Sequence, residues 1–115
     1  MSPETLREFC LSLKAVTESF PFNEDTLVFK VMGKMFVLTS LEDKTINLKC
    51  DPEKAIVLRE QYPSVTPGYH MNKKYWNTVQ LTGNVSERLI KEWIMDSYRL
   101  VVDGLTMKQR KELQQ

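Results

Sequence analysis

Thr26-Leu27-Val28-Phe29-Lys30-Val31-Met32-Gly33-Lys34-Met35-Phe36-Val37-Leu38-Thr39-Ser40 reads as two β-rich runs around a short turn. Gly33-Lys34 is a two-residue loop with glycine first, which predicts a hairpin through a type II′ turn. That register pairs Val31 with Phe36 and Phe29 with Leu38. Side chains alternate along a strand, so all four are expected on one face, with Lys30, Val37 and Thr39 on the other.

Working downstream, Leu41 to Lys44 is a polar connection and Thr45 to Cys50 a third strand with Ile46, Leu48 and Cys50 inward. Asp51-Pro52-Glu53 has helix-start chemistry, and Ala55, Leu58 and Tyr62 supply that helix's apolar stripe up to Pro63. Trp76 to Thr82 alternates again, a fourth strand with Val79 and Leu81 inward. Ser86 caps a third helix with a stripe of Leu89, Ile90, Trp93, Ile94 and Val101, and Gly104 is placed to stop it. Thr106 to Gln109 matches a capping box, so a short polar helix is expected to close the chain and to fray near Gln115.

Upstream, Ser2-Pro3-Glu4 starts a helix whose stripe is Leu6, Phe9, Cys10 and Leu13. It is expected to stop near Val16, leaving 17–25 as a loop. The predicted architecture over residues 1–115 is one α+β domain, a two-layer sandwich. A mainly antiparallel sheet, a three-strand meander plus a fourth strand, carries the helices on one face.

The 115 residues fit one domain, and the 42% hydrophobic and 27% charged fractions are those of a soluble globular chain. A formal net charge of +1 gives no global basic field, so any case for nucleic acid rests on local clustering. Cys10 and Cys50 lie far apart at apolar positions and read as small buried hydrophobes. Met1 leads into a polar helix start, and no apolar run approaches a membrane span; the expectation is a reduced, cytoplasmic protein with no signal peptide.

Chemistry is sparse. His70 is the single histidine, and catalysis would need partners that its surroundings do not supply: Gln61 to Ser86 contains no Asp or Glu. No set of His, Cys and carboxylates has zinc-ligand spacing, and the scattered glycines form no phosphate loop. Neither catalytic residues, metal nor cofactor are therefore expected. Adjacent acids at Glu24-Asp25 and Glu42-Asp43 read as solvated turns. What remains is the interleaving of aromatic and basic residues in Tyr69, His70, Lys73, Lys74, Tyr75 and Trp76, with Lys34 at the hairpin turn. Lysines neutralise phosphates and flat aromatics meet bases. The competing reading is a solvated lysine pair beside aromatics packed inward.

The stretches Phe20-Pro21-Phe22-Asn23-Glu24-Asp25-Thr26, Gly33-Lys34-Met35-Phe36, Ile46 to Pro52 and above all Thr66-Pro67-Gly68-Tyr69-His70-Met71-Asn72-Lys73-Lys74 give the chain a resemblance to the MmcQ/YjbR family. The resemblance implies a small cytoplasmic bacterial protein with a CyaY-like fold that binds double-stranded DNA through hairpin wings, without catalysis. On that reading Lys34, His70, Lys73, Lys74 and Tyr75 are the contact residues. The alternative is a module that uses the Tyr69–Trp76 region to hold a protein partner or small ligand.

Overall fold

A computed structural model describes residues 1–68 and 71–115. The chain runs α1 (Pro3–Ser12), β1 (Val16–Ser19), β2 (Thr26–Val31), β3 (Lys34–Ser40), β4 (Thr45–Lys49), α2 (Pro52–Gln61), β5 (Val65–Pro67), β6 (Trp76–Gln80), α3 (Glu87–Asp103) and α4 (Met107–Gln114). One antiparallel sheet has the order β1-β2-β3-β4-β6-β5. The helices pack on one of its faces, as the α+β reading expects.

The helix starts follow their sequence signals. The side chains of Ser2, Asp51 and Ser86 accept from the amides of Thr5, Lys54 and Leu89, and Pro3 and Pro52 occupy first-turn positions that need no N–H. Thr106 and Gln109 form the reciprocal capping box. On the helix-covered face Phe29, Val31, Phe36, Ile46, Leu48 and Val79 meet Ile90, Trp93 and Ile94 of α3, with Leu6 and Cys10 of α1 and Ala55 and Leu58 of α2. Burial of side chains of this size contributes roughly 1.5–3 kcal/mol each.

The sheet has two strands more than expected. β1 occupies part of the predicted loop, because α1 ends at Ser12 rather than near Val16; Ala15 then takes φ 61° and turns the chain into the edge strand. β5 is a three-residue edge strand ending at Pro67, where a missing N–H is harmless.

The hairpin register also differs. The turn residues are Met32 and Gly33, both at positive φ (50° and 81°), which is a type I′ rather than a type II′ turn; Lys34 opens β3 and pairs with Val31. The pairing then jumps from Lys30↔Met35 to Phe29↔Val37, so Phe36 is the extra residue of a β-bulge. Beyond it the faces exchange relative to the expectation: Val37 and Thr39 are buried in the core, while Leu38 pairs with Val28 on the opposite face. The bulge is held from α3. Ser97 Oγ donates to the Phe36 carbonyl at 2.6 Å and accepts from the Lys49 amide at 2.9 Å.

Candidate functional site

Strand direction decides which loops meet. β2 ends and β3 begins at the Met32-Gly33 turn; β4 ends and β6 begins at the same edge of the sheet, where Lys49 pairs with Trp76. The turn and the 72–75 segment therefore share one end. Lys34 at the start of β3 and the segment leading into β6 are two inter-strand spacings apart, about 10 Å. Lys34, Lys73, Lys74 and Tyr75 are all exposed there. Lys74 Nζ lies 5.6 Å from the centre of the Tyr75 ring, a cation–π arrangement that aligns charge and aromatic on one surface.

The 72–76 segment is held from below. Arg59 on α2 donates from Nε to Asn77 Oδ1 at 2.6 Å and from Nη2 to the carbonyl of Lys73, with the Trp76 carbonyl at 3.5 Å. Asn77 in turn donates to the Ala55 carbonyl at 3.3 Å, tying β6 to the same helix. Asn72 Oδ1 accepts from the Lys74 amide, and the Tyr75 carbonyl accepts from the Cys50 amide at 2.7 Å. The lysine pair thus sits on an anchored turn. Trp76 is buried, 9% exposed, so its ring is not presented to a partner. His70, expected among the contact residues, and Tyr69 lie outside the described residues.

Sequence reasoning missed one part of this end. The Lys14 ammonium donates to the Gln115 carbonyl at 2.6 Å, and the carbonyl of its neighbour Ala15 accepts from the Met32 amide at the hairpin turn. α4, with Lys108, Arg110 and Lys111 exposed, therefore terminates beside that turn. The opposite end of the sheet carries Asp25, Glu42 and Asp43, placed by the bonds Leu41 N–H to Asp25 carbonyl and Leu81 N–H to Lys44 carbonyl. Neither end is of one sign: Lys44 lies with these acids, and Asp51 and Glu53 follow β4 at the end that carries the lysines.

A second feature is the sheet face that no helix covers. The rows Val28, Leu38, Asn47, Thr78, Thr66 and Thr26, Ser40, Thr45, Gln80 run across it. All of these except the buried Val28 line a groove of about 850 Å³, with Phe22 and Asn23 at one corner and Met71 at another. A smaller cleft between α2 and α3 is self-neutralised: Lys54 pairs with Asp96 at 2.7 Å, which raises the lysine pKa, and burial pushes the adjacent Cys50 thiol up, away from nucleophilic use. Among the described residues no three His, Cys, Asp or Glu side chains gather as a metal site, and no helix is long and apolar enough to cross a membrane.

An open antiparallel sheet with helices on one face, a basic loop end and a bare polar face defines a small α+β sandwich domain. Comparison with known proteins makes this specific. The YjbR family model matches residues 11–100, and the chain belongs to that family. It is 43% identical to the uncharacterized protein YbdF of Escherichia coli O157:H7, over 96% of this chain and 92% of that one. It is 30% identical to the uncharacterized protein YjbR of Escherichia coli K12, over 100% and 99%. Among solved structures, a Deinococcus radiodurans protein of the DUF419 domain superposes with a TM-score of 0.90 at 43% identity, over 97% of this chain and 87% of that one. A Pseudomonas syringae protein superposes with a TM-score of 0.77 at 27% identity, over 87% and 98%.

Proposed function

We propose that this chain binds double-stranded DNA, without catalysis, through phosphate contacts from Lys34, Lys73 and Lys74, with Tyr75 reaching the nucleic acid beside them. The observation that carries the reading is the shared end of the sheet. Two basic segments about 10 Å apart at their backbones, with long lysine side chains, can reach the two phosphate walls of a major groove about 12 Å wide. Specificity for sequence is low on this reading, because lysines at turns meet phosphates and carry no code for base edges.

The test is fluorescence anisotropy of a labelled duplex titrated at several salt concentrations. Wild type binds in the micromolar range, with log affinity falling linearly against log salt. Lys73→Ala/Lys74→Ala lowers the slope by roughly 2 and Lys34→Ala by roughly 1. Absence of binding at low salt rejects the proposal, and an unchanged slope in these variants moves the site elsewhere.

A further inference from the structure

From the groove on the uncovered face we infer that it is a binding site for an unpaired nucleobase, carried either by a free nucleoside or by a single strand. The inference goes beyond the duplex reading and does not depend on it. Its volume, about 850 Å³, is that of a small-ligand site. Its chemistry selects the occupant. The floor is built from neutral hydrogen-bonding groups, among them Asn47, Thr66, Thr78 and Gln80, and among the described lining residues the one charged side chain is Asp43. Among those described residues a phosphate or carboxylate finds no counter-charge. A base is uncharged, has donors and acceptors around its edge, and has two flat apolar faces.

Both complements are present. Asn47 and Thr78 are joined across the strands by a 2.6 Å hydrogen bond from the threonine hydroxyl to the Asn47 Oδ1. The other end of that amide makes a 3.4 Å contact to the Leu38 carbonyl, weak enough to exchange for a ligand edge. Apolar surface for the ring comes from Met35 and Leu38 on β3, with Met71 and the 70%-exposed Phe22 at the rim. Leu38 is there because of the Phe36 bulge: without the extra residue it would face the core. A sugar would be expected to meet more carboxylates and stacked aromatics. An extended peptide would seek the strand edges rather than a face.

Titration of the ¹⁵N-labelled, methyl-labelled chain with thymidine and with adenosine tests the site, with glucose as the control. Saturable shifts at the Asn47 side-chain amide, Thr78 and the Met35 and Met71 methyls are expected, weakened roughly tenfold in Asn47→Leu and in Thr66→Glu. Thr66 is exposed, so the second variant retains the fold if the first does not. Short oligothymidylate and the same sequence annealed to its complement separate the sources. Groove shifts with nucleosides indicate a free ligand; groove shifts with the single strand alone indicate a base within a chain. The inference is overturned by an absence of groove shifts with nucleosides and single strand at about 10 mM. A response equal to that of glucose, or shifts confined to 72–76, overturns it too. Duplex binding that depends on Lys73 and Lys74 is read independently of either result.

Discussion

Ser97 reaches from the middle of α3 to the carbonyl of Phe36, the one residue of β3 that the ladder skips. The hydroxyl is fully buried, and it also accepts from the Lys49 amide, so a single oxygen closes both backbone groups at the point where β3 and β4 stop pairing. Ser97→Ala leaves a part-buried N–H and a buried C=O without this partner, at about 1–3 kcal/mol each when fully buried. The expected loss is about 2–4 kcal/mol, measured as a lower urea midpoint at constant slope. A loss under about 0.5 kcal/mol would mean that the bulge stands without the helix.

Gly83 lies where no side chain fits. A Cβ there would stand 1.9 Å from Ser64 Oγ and 2.8 Å from Ser64 Cβ. Gly83→Ala must displace the turn before β5, whose Ser64 carbonyl accepts from the Gln80 amide at 2.9 Å. The expected cost is about 1–3 kcal/mol. Ser64→Gly removes the obstacle, so the double variant should be more stable than the sum of the two singles implies. Additive thermal shifts would place the strain elsewhere.

How far these features could be read in advance depends on what each rests on. Helix starts are local chemistry, and Ser2, Asp51, Ser86 and Thr106 all cap where the sequence says they should. The Phe36 bulge is not local. Phe36, Val37 and Leu38 are all apolar, so alternation fits either face, and the choice is made by Ser97, far along the chain. β1 escapes notice because Val16-Thr17-Glu18-Ser19 is short and polar and the preceding break is at an alanine with positive φ. Lys34, Lys73 and Lys74 were legible as basic residues, but their common end follows from strand directions. The groove was not legible at all: its polar residues are single Thr, Ser, Asn and Gln positions spread over β2 to β6.

Both cysteines should resist chemistry in the native state. Burial pushes the Cys10 thiol up to about 12 and raises that of Cys50, since a thiolate is disfavoured in an apolar setting. Near pH 8 roughly one Cys10 in ten thousand is ionised. A disulfide-exchange reagent should label neither quickly until denaturant is added. The same shift makes stability pH-dependent. The native thiol keeps its proton above the point where the unfolded thiol has lost it, so the native state binds more protons and stability falls as pH rises past about 9. Cys10→Ala should flatten that decline. Rapid native labelling of Cys10 would contradict its burial.

Arg59 separates the shape of the basic end from its charge. Its fork joins Asn77 Oδ1 to the Lys73 carbonyl, so it holds the lysine turn through the backbone. Arg59→Lys keeps the positive charge but cannot make both contacts in one plane. If Lys73 and Lys74 meet phosphate as proposed, loosening their turn imposes an ordering cost on binding without removing a cation. Duplex affinity should then fall about three- to tenfold, while the salt slope stays close to that of wild type. Lys73→Ala/Lys74→Ala should instead lower the slope itself. A reduced slope in Arg59→Lys would show that the arginine's contribution to DNA binding is direct, and the proposed contact surface would have to be redrawn around α2.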